Sequence, residues 1–421
     1  MIMNERLLHF IWQMQYYNPN ELATVSGEPI KVLKAGTYNT DQGPDFQQAR
    51  VRIRQTTWAG NVELHLRTSD WYKHRHQQDK NYDNVILHVV WQHDAEHNGV
   101  PVLELADRVP RHLLQRFEDL MQGSSFIPCA GMIGKLDSVH WHKWNERMAI
   151  ERLSRKAEIV NQFQLQNKGS WEETCWWMLA RNFGYRVNMQ AFEEMARSIP
   201  LTILSRHRFQ IVQLEALLMG QAGLLKEKIN DDDYYSLLQR EYRFLKEKYG
   251  LQEIRQSVYF LRMRPGNFPT LRLAQLAALI HQQSHLFSQF RENGSIQDVR
   301  DCFDVLANDY WHYHYRFGEK TNYREKRLGA AMTDSILINT LAPLLFAYGD
   351  YHQDEQFKER AIRWLEKTTA ENHSITQGFK KLGVEYRNAF DTQALTELKN
   401  EYCDRKRCLE CGIGNALLKG M

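Results

Sequence analysis

A surplus of charge of either sign is what this 421-residue sequence lacks: 54 lysines and arginines stand against 51 aspartates and glutamates, a net of +3. That balance excludes a global attraction to nucleic acid or to a membrane surface, so any polyanion contact has to be local. Long hydrophobic runs are missing too. The most apolar stretch, "ILINTLAPLLFAYG" at 336–349, contains Asn339 and Pro343 and falls short of the roughly 20 residues that span a bilayer. The first residues, "MIMNERLLHFIWQMQYY", place Glu5 and Arg6 before an apolar run broken by His9 and Gln13, with no small-residue cleavage site. They read as a first helix and not as a secretory signal, so a cytoplasmic protein with no membrane partner is expected. Cysteine is scarce. Six in a chain of this size, three of them among the last twenty residues, exclude a disulfide framework and leave metal ligation or no role.

What is present is the composition of a folded protein, 43% apolar and 12% aromatic. The first 110 residues have strand character: Ile30 to Leu33, Phe46 to Ile53, Val62 to Leu66, Val85 to Trp91 and Val100 to Leu105 are short Val/Ile/Leu-rich runs separated by Gly, Asn, Asp and Pro. "SDWYKHRHQQDKNYDN" lies between the third and fourth as a short helix or irregular crossover. The texture changes after Arg108, and from about Trp141 apolar residues recur at helical spacing, as at Met148, Ile150, Leu153 and Ala157. The expected organisation is an α+β domain over 1–120 with a mixed sheet of about five strands, a linker over 121–138, and a large all-α domain over 139–421 carrying a C-terminal cysteine cluster. No fixed-period repeat is present, which argues against a solenoid.

Chemistry concentrates in "GPDFQQARVRIRQTTWAGNVELH", residues 43–65. On a strand the period of two puts Glu63 and His65 on one face, opposite Val62, Leu64 and Leu66. Asp45 follows Gly43-Pro44 at the entrance to the preceding strand, where it either caps a turn or, if the strands splay or shift register, meets Glu63. Two carboxylates from neighbouring strands are a minimal cage for a divalent ion such as Mg or Mn. His74 and His76 share a face only if extended, and His76 and Asp79 only if helical, so regular structure converges part of this set. His88, inside "VILHVVW", is either a hydrogen-bonded core histidine or faces the carboxylates. Arg50, Arg52 and Arg54 alternate with Val51 and Ile53, the pattern of a strand with a basic outer face.

Pro44-Asp45 followed by Glu63 and His65 resembles the PD-(D/E)XK nuclease motif with His in place of its final Lys. The resemblance implies a restriction-endonuclease-like core of helix, three-stranded meander, helix and further strand. It also implies Asp45 and Glu63 as metal ligands, with His65 in the place of the residue that positions the attacking water. A second resemblance covers nearly the whole chain: "NTDQGPDFQQARVRI", "WAGNVELH", "SDWYKHRHQQDKNYDNVILHVV", "QLEALLMGQAGLL", "RPGNFPTLRLAQLA" and "YCDRKRCLECGIGNALL" look like a bacterial family of unknown function.

Cys403, Cys408 and Cys411 form C-x4-C-x2-C, a spacing able to wrap one zinc ion or three corners of an iron-sulfur cluster, and Cys129 is the fourth ligand that context favours. This arrangement is similar to one in which some RecB-type nucleases hold a cluster with one upstream and three downstream cysteines. The leading expectation is a metal-dependent nuclease-like phosphodiesterase acting on nucleic acid. Its rivals are a non-catalytic binding or scaffold protein with a degenerate nuclease-like sheet, favoured by the neutral charge and the missing Lys, and a hydrolase of a small phosphorylated molecule.

Overall fold

The computed structural model describes residues 3–96, 99–123, 125–135, 138–292 and 294–420. By compactness the chain divides into two units that do not follow chain order. The first comprises Met1–Trp144, Lys381–Gly383 and Leu398–Met421, and the second Asn145–Lys380 with Val384–Glu397. The cysteine-bearing C-terminal segment thus packs with the N-terminal sheet unit.

The first unit opens with helix α1, Glu5–Gln13, capped by Asn4, whose side chain accepts the Leu7 N–H at 2.9 Å. Leu7, Leu8, Ile11 and Trp12 form its buried face. Six strands follow: β1 Ile30–Lys34, β2 Thr37–Tyr38, β3 Phe46–Ile53, β4 Thr56–Arg67, β5 Val85–Gln92 and β6 Val102–Glu104. They form one mixed sheet in the order β1-β3-β4-β5-β6, with β2 also on β3. β1, β3 and β4 are antiparallel neighbours, while β4, β5 and β6 run parallel. The parallel step from β4 to β5 needs a crossover, supplied by the short helix α2, Asp70–Lys73, and two single turns after it. The expected helix and mixed sheet are both present. Two differences have simple causes: β2 is too short to carry a pattern, and β4 starts at Thr56 and not Val62 because its first residues are exposed and so lack an apolar signal.

The register shifts between β1 and β3, between β3 and β4 and between β4 and β5, and the shift between β3 and β4 sets the position of Asp45. Phe46 pairs with Val62 but Ala49 with Gly60, so β3 spends three residues where β4 spends two. The extra residue is accommodated with Gln48 in the left-handed region at φ 56°. This β-bulge reverses side-chain parity along β3.

The remainder is helical. After α3, Arg111–Gln122, come α4 Ser138–Gln166, α5 Trp171–Phe183, α6 Tyr185–Ser198, α7 Leu201–Arg206, α8 Ile211–Gln221, α9 Asp233–Tyr249 and α10 Pro269–Gln282. In α10 every residue from Pro269 to Ile280 is buried, as expected of the central helix of a bundle. The apolar run at 336–349 lies within a longer helical stretch, Ala330–His352. By length and composition alone this stretch could cross a membrane, but 72% of its most apolar window is buried inside the protein.

Candidate metal centre

The bulge at Gln48 decides where Asp45 points. Directly opposed residues of an antiparallel pair share a face, and with Phe46 opposite Val62 the next pair outward is Asp45 and Glu63. Without the extra residue Asp45 would face Leu64 and lie on the opposite side of the sheet from Glu63. Two hydrogen bonds clasp the junction: the Asp45 N–H donates to Glu63 Oε2 at 3.0 Å, and Asp45 Oδ2 accepts the Leu64 N–H at 2.9 Å. On β5, His88 stands level with Glu63.

The crossover brings the remaining imidazoles. His74 ends α2, and Arg75 then takes a left-handed conformation at φ 59° before His76 begins the next turn. That reversal, which neither a helix nor a strand provides, turns both rings towards His65. His65 Nδ1 is 2.9 Å from His88 Nε2, and His65 Nε2 is 3.1 Å from His74 Nδ1. The His65 and His76 rings stack with centroids 5.2 Å apart, and His76 stacks in turn on Tyr82 at 3.8 Å. One ligand atom from each of His65, His74 and His76 lies within 4.8 Å of the others. Glu63 Oε1 joins them, 3.6 Å from His65 Nε2 and 3.4 Å from His76 Nε2. Atoms about 2.0 to 2.2 Å from a common ion stand roughly 3 to 3.5 Å apart, so the three imidazoles could hold an ion, with Glu63 near that spacing from two of them.

The site is deep. Glu63 is 5% exposed, His65 1% and His88 not at all. Burial, then the charge of Asp45, push the Glu63 carboxyl up to about 9 against the pull of the Asp45 N–H. Burial, then His76 and His74, hold His65 down to about 3. Burial and His74 also lower His76, and burial followed by Glu63 raises Tyr82 to about 12. His65 and His76 are therefore neutral at pH 7, the form that ligates metals, whereas Glu63 is a protonated acid there until an ion displaces its proton.

Sequence reasoning missed two residues, both on α1. His9 Nε2 lies 3.3 Å from Asp45 Oδ2, and Glu5 is close enough to raise Glu63. The signal was their i, i+4 spacing, which puts both on one helix face. Buried ring nitrogens of His9 and His76 have no hydrogen-bond partner among the described residues although a carboxylate oxygen is within 3.4 Å of each Nε2. Polar atoms that converge without bonding each other fit a group held between them. Asp79 is not part of the cluster. Its side chain accepts the Asn81 N–H at 2.9 Å as a turn cap, and its charge reaches His76 only at a distance.

Beyond the cluster the same face of the sheet is basic and exposed. Lys31 pairs with Arg52 and Lys34 with Arg50, and these two arginines oppose Thr57 and Ala59 of β4. Thr57 and Ala59 share strand parity with Glu63 and His65, so Lys31, Lys34, Arg50 and Arg52 lie on the side of the sheet that holds the imidazoles. Arg54 instead sits in the β3–β4 turn, paired with Glu28 at 2.7 Å. The four remaining candidate ligands, Cys129, Cys403, Cys408 and Cys411, belong to this unit as well and are free thiols.

A family model described as "Protein of unknown function (DUF2851)" matches residues 5–374, and the chain belongs to that family. No curated protein and no solved structure matches.

Proposed function

We propose that this member of the DUF2851 family is a metal-dependent phosphodiester hydrolase acting on nucleic acid, with Asp45, Glu63, His65, His74 and His76 as its centre. The observation that carries the reading is the convergence of two carboxylates and three imidazoles on the sheet face that also bears Lys31, Lys34, Arg50 and Arg52. The PD-(D/E)XK resemblance supports it. Helix α1, the antiparallel β1, β3 and β4, the crossover with α2, and then β5 follow the order that superfamily implies, with Asp45 entering the second meander strand and Glu63 and His65 on the third.

Glu63, His65 and His76 would hold the ion, with His74 and Asp45 beside them, and an imidazole-rich set suits manganese or zinc better than magnesium. A bound divalent ion supplies charge neutralisation at the phosphate and a lowered pKa for the attacking water. The protein's own groups do the rest. The Leu64 N–H anchors one Asp45 oxygen and fixes that carboxylate's orientation. His88, against His65 Nδ1, orients the ring so that Nε2 faces Glu63 and His74. His9 places an imidazole at Asp45, where it can exchange a proton with a bound phosphate ester. The basic stripe binds backbone phosphates: at about 3.3 Å per residue, Arg52 lies roughly 20 Å along β4 from Glu63, enough for several nucleotides.

A second reading, a hydrolase of a small phosphorylated molecule, is favoured by the enclosure of Glu63 and His65, whose side chains are 7% and 2% exposed. One assay separates the two. The purified protein is incubated with single- and double-stranded DNA and RNA and with a bis-aryl phosphate, in Mg, Mn or Zn, beside Asp45→Ala and Glu63→Ala. Metal-dependent cleavage of a polymer, lost in both variants, is expected. Cleavage of the small ester alone favours the second reading, whereas no cleavage, or equal cleavage by the variants, overturns both and leaves a binding or scaffold protein.

A further inference from the structure

We infer that the start of helix α10, in the second unit, is a seat for a phosphate group, either free or as the head of a small ester whose body lies in the adjoining cleft.

The inference begins with a charge imbalance at a buried helix end. The N-terminus of a helix is the positive end of its dipole, so anions are favoured there and cations disfavoured. α10 begins at Pro269 behind Phe268, which offers no side-chain cap. Pro269 has no N–H, and the N–H groups of Thr270 and Leu271 meet no acceptor among the described residues, although both residues are 2% exposed. Buried backbone donors are normally paired.

The side chains gathered round this end are basic. Arg272, 6% exposed, curls back along its own helix so that Nη2 donates to Asn267 Oδ1 at 2.6 Å, just before the first turn. Its other contacts are neutral: Nη1 donates to Gln275 Oε1 at 2.8 Å, and Cζ lies 5.2 Å from the centroid of the Tyr185 ring. Lys326 is 4% exposed, with Nζ 3.8 Å from the centroid of the Tyr315 ring. The Tyr315 carbonyl accepts the Thr270 hydroxyl at 2.5 Å, and the Lys326 carbonyl accepts the Gln275 amide at 3.3 Å, which ties both segments to α10. Arg272 Nε and Lys326 Nζ are buried without a hydrogen-bond partner, and neither residue makes an ion pair among the described residues. Buried cations are normally matched by an acid. Two without one, beside two unpaired N–H groups, call for an anion.

Arg316 carries this charge to the surface. It lines a cleft of about 550 Å³ together with Thr270, Ser257, Phe260 and Phe317. Its guanidinium rests against the rings of Phe260 and the α10 cap Phe268, with Cζ 4.6 and 4.5 Å from their centroids. Two aromatic contacts hold it in place, and its buried Nε has no hydrogen-bond partner. Of the carboxylates at the cleft, Glu319 is 3.9 Å from Arg316 and 67% exposed, and Glu227 lines the wall. Lys226 lines it as well but is paired with Glu253 at 2.9 Å. Backbone N–H groups at a helix start and a guanidinium beside them are the donors that phosphate oxygens take. The cleft has the volume of a small-molecule site.

The test is thermal melting of the full-length protein with inorganic phosphate, AMP or adenosine, in EDTA so that the imidazole centre holds no ion and the result is independent of it. A ligand of the folded state alone raises the melting temperature with its concentration. Phosphate or AMP should do so and adenosine should not. Arg316→Gln should weaken the apparent affinity by about 10- to 100-fold, the worth of one hydrogen bond to a charged group. Arg316→Lys, which keeps the charge without the fork, should fall between the two and serves if the glutamine variant melts early. Arg50→Gln/Arg52→Gln should bind as the wild type does. AMP acting at lower concentration than phosphate identifies an ester, and equal action identifies the phosphate group alone; either supports the seat. No rise with phosphate or AMP, an equal rise with adenosine, or a rise that both Arg316 variants keep in full, as a general salt effect would give, overturns it.

Discussion

The Asp45 N–H donates to the Glu63 carboxylate while the Asp45 carboxylate accepts the Leu64 N–H, a reciprocal clasp between the second and third strands of the meander. Each acidic side chain is thus fixed by the backbone of the other strand and not by its own. Replacing either should abolish metal-dependent cleavage by more than about 100-fold, because outer-shell partners alone are typically worth 10- to 100-fold. Asp45→Asn keeps the acceptor for Leu64 and should preserve the melting temperature better than Asp45→Ala, while being as inactive. Parallel melting and turnover measurements check this.

His88 meets the cluster at His65, its Nε2 2.9 Å from His65 Nδ1. His88→Phe should keep the sheet folded and weaken metal affinity by about 10- to 100-fold, the usual cost of losing a ligand's orienting partner. Competition titration against a chromophoric chelator reads this directly. Unchanged affinity would mean that His65 is oriented by packing alone.

The basic stripe makes a quantitative prediction. If Arg50 and Arg52 each contact one phosphate, Arg50→Gln/Arg52→Gln should reduce the slope of log affinity against log salt by about 1 to 2 for either single- or double-stranded DNA. The protein used would be Glu63→Gln, so that binding is read without cleavage. An unchanged slope would place the nucleic acid elsewhere.

In the second unit, Glu215 is fully buried, with its Oε2 accepting from Tyr234 Oη at 2.8 Å and Trp311 Nε1 at 2.9 Å. Burial raises its pKa to about 7 despite both donors. The folded state then binds a proton that the unfolded chain, with a pKa near 4.5, releases. Its contribution to stability is full below about pH 4.5 and is lost as pH rises through 7, on the order of 3 kcal/mol by pH 8. Glu215→Gln should flatten that part of the profile in urea melts taken between pH 5 and 8.

Gly60 lies where β4 meets β5, and a Cβ there would come within 2.6 Å of the Asn84 carbonyl oxygen and 2.4 Å of the Ile86 side chain. Gly60→Ala should destabilise the sheet by about 1 to 3 kcal/mol. Thermal melting would register that as a drop of several degrees.

Much of the sheet was legible because its strands are apolar runs bounded by turn residues, and the parity of Glu63 and His65 needs only a period of two. The position of Asp45 was not, since one extra residue in "FQQA" leaves no mark in composition. The joint approach of His74 and His76 was hidden for a similar reason: it depends on the left-handed Arg75, a position that glycine would have advertised. His9 and Glu5 were visible as a helix pair, but nothing local says that α1 lies over the sheet's polar face. The membership of Leu398–Met421 in the first unit rests on tertiary contacts, which the texture of the sequence cannot report.

That membership also has a consequence in time. The ribosome completes residues 1–144 long before residues 398–421 exist, so the sheet unit waits through the synthesis of the whole second unit before its last helix and three of its cysteines arrive. Contacts of such sequence separation form slowly. The nascent chain is expected to expose the surface that receives residues 398–421 until those residues have been made.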